Sequence, residues 1–266
     1  MPIYLMAAPR TICYNRPNPT FEEAPKMSKY LSCFTYLFKY ANWMPTLAMG
    51  SLMMLVPIVG PMVVSGWQIE LFKARLAGDK ENLPVLDFSR FSELMSLGAI
   101  PFIAGFLAVL PMLLFFYILL TMAGAAVFLL ATLASAALVA ALGEIGGIIS
   151  LIATIALGAL LLALTLGAAW VMGAVVQIIV LRAELTRQLG AAFNVQGIRE
   201  NAAHLLRPLI KGNIVLGLMA GPMMLIGYMM CLVGLYPALF LLVCAGCELR
   251  TLVYRDYLDA GHPPIA

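Results

Sequence analysis

Charged side chains are scarce in this chain: only 11% of its 266 residues are Asp, Glu, Lys or Arg, against about 25% in an ordinary soluble domain. No Lys or Arg occurs between Arg90 and Arg182, and none between Lys211 and Arg250. A soluble globular fold is thereby excluded. The net charge is +3 and no dense Lys/Arg cluster exists, so nucleic-acid binding is excluded as well. Histidine is nearly missing, with two residues, His204 and His262, read as isolated and solvated; neither a metal site nor a cofactor is expected. The five cysteines do not form a secreted disulfide framework, because Cys231, Cys244 and Cys247 lie in apolar runs and Cys13 and Cys33 among basic residues. A basic n-region is lacking from the first ten residues, so no cleavable signal peptide is read there. Gly-rich phosphate loops, HExxH, nucleophile elbows and paired acidic motifs are absent from any credible position, which leaves no catalytic residue to nominate.

What fills the chain instead is apolar. Hydrophobic residues make up 63% and the mean hydropathy is +0.97, the composition of an integral membrane protein. The basic residues gather before Trp43, in 73–90, in 182–211 and after Glu248. By the positive-inside rule these four regions face the cytoplasm, so a multi-pass protein of the cytoplasmic (inner) membrane with both termini inside is expected.

Taken in order, residues 1–26 carry five prolines and read as an extended cytoplasmic arm. An amphipathic interfacial helix is expected over 27–41, with Tyr30, Leu31, Phe34, Leu37, Phe38 and Ala41 on its apolar face. Segment 43–72 is apolar but interrupted by Pro57-Ile58-Val59-Gly60-Pro61. Each half rises only about 17 to 20 Å, short of the roughly 30 Å hydrocarbon core. Pro57 and Pro61 remove backbone donors and Gly60 tolerates positive φ, so the helix either turns back as a re-entrant hairpin or kinks within one span. Residues 73–94 form a cytoplasmic loop with turn chemistry at Gly78-Asp79-Lys80. The run 95–181 is long enough for three or four crossings, with helices placed at 98–120 and 149–181; the Ala-rich piece 123–142 either crosses or lies in the outer leaflet. A second interfacial helix, capped near Asn194, is expected within 182–211. Residues 213–230 and 234–254 then read as a hairpin of two spans, before a short polar tail at 259–266. The fold class is an all-α polytopic membrane bundle forming a single membrane domain over 27–258.

The run from Leu55 to Trp67, the Leu83-Pro84 and Asp87-Phe88 loop, Ala192-Phe193 with Ile198-Arg199, and the stretch from Tyr254 to Pro264 together resemble a family of bacterial and archaeal membrane proteins, domain of unknown function 4013. The resemblance covers about Tyr30 to the C-terminus. It implies a polytopic membrane protein and carries no known activity, hence no catalytic residues.

Five features have the residue types that membrane sites use. Glu144 is the one charged side chain between Glu93 and Arg182, and intramembrane acids are costly enough to be functional by default. Three glycines surround it, so an exposed turn is the better reading. The break at Pro57, Gly60 and Pro61 has the form of a transporter's discontinuous helix, yet only Ser51, Ser65 and Gln68 lie near, which favours a structural kink or anchor. Thr165, Ala169, Gly173 and Gln177 recur every four residues, and Gly217 with Gly221 makes GxxxG; both stripes read as helix packing, with Gln177 alternatively lining a polar path. Cys244-Ala-Gly-Cys247 has redox spacing in an apolar helix, where small packing residues are the simpler account. The leading functional expectation is a non-enzymatic scaffold or assembly component whose partners are the bilayer and either a second copy or other membrane proteins. A small-solute or ion transporter built on the broken helix is the alternative. A lipid enzyme using Asp87, Arg90 and His204 is third.

Overall fold

The computed structural model describes residues 26–77, 83–230 and 233–265, and every regular element among them is helical. The arm before Lys26, the Gly78-Asp79-Lys80 turn, Cys13 and Cys231 lie outside the described residues. Helix α1 (Lys26–Thr35) passes through a 3-10 turn at Leu37–Lys39 into α2 (Trp43–Met54) and α3 (Val59–Ala77). After a second 3-10 turn come α4 (Phe91–Leu142), α5 (Glu144–Thr186), the short α6 (Leu189–Ala192), α7 (Val195–Met229) and α8 (Leu235–Asp259). Among the described residues four helices, α4, α5, α7 and α8, are long and apolar enough to cross a bilayer.

The helix breaks where the prolines demand it. Pro57 has no N–H with which to continue α2, and Ile58 adopts φ 66°, a left-handed value that stops helical propagation. A Cβ on Gly60 would stand 1.7 Å from the Met53 carbonyl oxygen, so glycine alone permits the two helices to meet so tightly. Asn42 donates to the Leu83 carbonyl at 3.3 Å, and the Trp67 indole donates to that of Pro84 at 2.8 Å. A straight run would hold residues 42 and 67 more than about 30 Å apart at 1.5 Å per residue. Their attachment to neighbouring residues of one loop means that the chain reverses, and its path is a hairpin.

α8 is the central post. In its most apolar window 56% of residues are buried, against 6% for α5, 11% for α4 and 17% for α7. Phe240, Cys244 and Cys247 of α8 enter a core with Tyr36, Met53, Val63 and Trp67. Leu249, Val253 and Tyr254 enter a second core with Cys33, Phe72, Ile178, Leu205 and Leu209. α3 and α4 cross at paired glycines: a Cβ on Gly66 would lie 1.9 Å from the Leu94 oxygen, and one on Gly98 would lie 1.9 Å from the Met62 oxygen.

Several boundaries differ from the sequence reading. The run 95–181 holds two helices rather than three or four crossings: nothing after Pro111 breaks the Ala-rich stretch, so α4 propagates to Gly143, whose φ of 61° makes the turn. The expected interfacial helix within 182–211 and the span from 213 are one helix, α7, capped by Asn194, whose side chain accepts from the Gln196 and Gly197 amides. Its face of Leu205 and Leu209 packs into the protein core. On the segment 27–41 the buried face is Cys33, Tyr36, Leu37 and Tyr40, offset from the expected one, while Leu31 and Phe38 remain exposed, because α8 and α3 supply the apolar surface it meets.

Candidate functional site

The base of α8 gathers charges that pair between helices. Glu248 accepts from Arg75 of α3 through both carboxylate oxygens, the Nε contact being 3.2 Å, and Arg75 also donates to the Tyr40 hydroxyl at 3.4 Å. Burial pulls the Arg75 guanidinium down, and the Glu248 carboxylate more than reverses this, leaving it above its ordinary value. Two residues on, Arg250 donates to Glu184 of α5 at 2.8 Å and to the Gln68 amide oxygen at 3.4 Å, while the Gln68 amide nitrogen donates to the Val243 carbonyl at 2.9 Å. α8 thus offers an acid to α3 and a base to α5. Swapping its two neighbours would place like charges together, so the network specifies which helix packs where. The network is incomplete: Glu184 Oε2 and Arg250 Nε are buried without partners.

Beside it a cleft of about 590 Å³ opens between the start of α7, the end of α8 and the tail. The His204 and His262 rings lie 4.1 Å apart, and Tyr257 stacks on His262 at 4.7 Å. The two histidines, read as isolated, therefore meet, because Gly261, with φ 85°, turns the tail back across α8, and the Ile265 amide donates to the Tyr254 hydroxyl at 3.4 Å. Arg182 and Asn201 form the floor, 4% and 7% exposed. Arg182 donates to the Ala191 carbonyl at 2.9 and 3.2 Å, and no carboxylate among the described residues pairs with it. The Asn201 amide nitrogen is buried and unpartnered.

The residues nominated from sequence scatter. Glu144 is exposed at the α4–α5 turn. Ser65 donates back to Pro61 in its own helix, and Gln177 donates to Asn213 of α7 at 2.9 Å, so Ser65, Gln68 and Gln177 point to three separate partners rather than one path. Gly173 and Gly217 lie at the α5–α7 contact, close to Asn213 and Trp170 respectively, and Thr165 is half-buried with its hydroxyl bonded to Leu161. Ala169 and Gly221 face outward, and a Cβ on Gly221 would meet nothing within 4 Å. Cys244 and Cys247 are free and fully buried in the first core. Arg90 is held by Glu70 and Glu93 on the α3–α4 side, away from the contacts of His204.

A family profile matches residues 49–235, most of the chain. The chain belongs to the DUF4013 family, described as proteins of unknown function. The DUF4013 match runs from α2 to the first residue of α8, narrower than the resemblance read from Tyr30 onward, so Glu248, Arg250 and His262 lie outside it. No curated protein and no solved structure matches.

Proposed function

We propose that this DUF4013 protein is a non-enzymatic, multi-pass component of the cytoplasmic membrane that organises other membrane proteins through helix contacts, with both termini and the base of α8 facing the cytoplasm. One observation carries this reading: the α4–α5 hairpin. From Val109 to Leu142 no residue of α4 is buried, and α5 buries only Gly146 and Ser150 before Ala174. The bare stretch of α4 is about 50 Å long at 1.5 Å per residue, against a hydrocarbon core of about 30 Å. Leu113, Phe115, Phe128, Leu133, Leu151 and Ile155 are among the large side chains the hairpin exposes. Lipid tails cover one bilayer's worth of such a surface, and neighbouring apolar helices are the natural cover for the remainder. The transporter reading draws less support, since its polar candidates bond to three separate partners and line no common path, although the Gln177 amide oxygen is buried without a partner.

Photocrosslinking from the exposed positions Phe128 and Ile155 in native membranes, followed by isolation in mild detergent and mass spectrometry, tests the proposal. Adducts with a second copy or with another membrane protein are expected. A chain that remains a single copy and forms adducts with lipid alone overturns it. Labelling of single cysteines at 85, 144 and 195 tests the orientation, with 85 and 195 expected on one side and 144 on the other.

A further inference from the structure

We propose that the cleft at the base of α7 binds a phosphate-bearing anion, a site distinct from the hairpin surface and independent of the scaffold reading. Three features converge on it. The Arg182 guanidinium is 4% exposed and lines the cleft, yet among the described residues its side chain is held by the Ala191 carbonyl alone. A guanidinium kept from water without a carboxylate is costly, and an anion in the cleft supplies the missing countercharge. Asn201, 7% exposed on the same floor, holds a buried amide nitrogen with no acceptor, the group a phosphate oxygen would satisfy. The cleft also lies at the N-terminus of the 35-residue helix α7, whose dipole favours negative charge there. Asn194 already occupies the first amides, so the dipole and the side chains, rather than free backbone donors, do the binding.

Sequence detail fits this arrangement. A Cβ on Gly197 would lie 2.5 to 2.7 Å from the Arg182 guanidinium, so the absence of a side chain there is what lets the arginine lie flat at the floor. The imidazoles of His204 and His262 wall the opposite side and supply further donors. Among the described residues the one carboxylate on the wall, Glu200, is exposed at the rim and accepts from Gln196 at 3.1 Å, and Asp256, in the smaller adjoining cleft of about 160 Å³, is neutralised by Lys29 at 2.7 Å. At about 590 Å³ the cleft matches the size of sites that hold small molecules. The ligand chemistry, a phosphate ester, is shared by phospholipid headgroups and soluble phosphates.

The test uses the full chain in two settings. In neutral detergent, inorganic phosphate is titrated at constant ionic strength against chloride, and the shift of the thermal unfolding midpoint is read. In nanodiscs, phosphatidylcholine alone is compared with phosphatidylcholine and phosphatidylglycerol in equal parts. Stabilisation by phosphate identifies a soluble ligand class, and stabilisation by phosphatidylglycerol alone identifies a lipid headgroup; in either setting Asn201→Ala, Gly197→Ala and Arg182→Lys should weaken the apparent affinity about tenfold or more, the loss typical of a charge-assisted hydrogen bond. Should Arg182→Lys fail to fold, Asn201→Ala carries the decision. No stabilisation in either setting, or one that Asn201→Ala leaves unchanged, overturns the site.

Discussion

Replacing Arg250 by Met should be among the most damaging single changes in this protein. Arg250 and Glu184 are 7% and 3% exposed and meet at 2.8 Å, so the change leaves a carboxylate inside the helix junction with no countercharge. Removing one partner of such a pair costs about 3 to 5 kcal/mol. Removing both is another matter. The pair is imperfectly satisfied, since Glu184 Oε2 and Arg250 Nε lack partners, so its attraction does not fully offset the desolvation of the two ions. Glu184→Leu combined with Arg250→Met should therefore recover most of the loss, to within about 1 to 2 kcal/mol of the parent. Equilibrium unfolding in mixed micelles, followed by circular dichroism for the parent, both single variants and the double variant, gives the complete cycle. A double variant as unstable as the sum of the singles would refute the reasoning, because the two charges would then act separately.

Gly98→Ala should cost about 2 to 3 kcal/mol by overpacking against the Met62 carbonyl, whereas Gly221→Ala should leave the same unfolding midpoint unchanged. Ile58→Gly should raise stability by about 1 kcal/mol in the same assay, because Ile58 holds φ 66° while its side chain is 67% exposed and contributes little packing. Cys33 is buried, and its thiol is pushed up to about 12 by burial and secondarily by the Glu248 carboxylate. Native protein should therefore resist maleimide at this position, and labelling at the unfolded rate would contradict the burial. An unfolded thiol titrates near about pH 8.5, so the folded state keeps a proton that the unfolded chain releases; the stability from this group is intact below that pH and is lost as pH rises toward about 12.

The helical membrane class was legible because it rests on the absence of charge, a property that needs no knowledge of contacts. The break at Pro57 to Pro61 was legible for a similar reason, since a missing donor and a missing Cβ act locally. The pairing of Glu248 with Arg75 and of Arg250 with Glu184 was not, because each pair joins residues more than sixty positions apart and the basic members read in the sequence as markers of the aqueous side. The α3–α4 crossing escaped for the same reason. Gly66 and Gly98 form no motif in either helix, and only their meeting gives them a role. Local repeats were matched in part: Gly173 and Gly217 lie at the α5–α7 contact, while Ala169 and Gly221 face outward. The His204–His262 contact depended on where the tail folds back, which a run of Gly-His-Pro-Pro does not announce.

The central position of α8 has a consequence for biogenesis. Helices α1 to α3 leave the ribosome before α8, but the surfaces that bury Trp67, Met53 and Phe72 include those of α8, made about 160 residues later, or roughly 8 to 30 s at ordinary synthesis rates. Throughout that interval Arg75 and Gln68 wait without Glu248 and Val243. A nascent chain arrested before Leu235 should accordingly be a target for membrane quality control even though α4, α5 and α7, three of the four long apolar helices among the described residues, have already been synthesised.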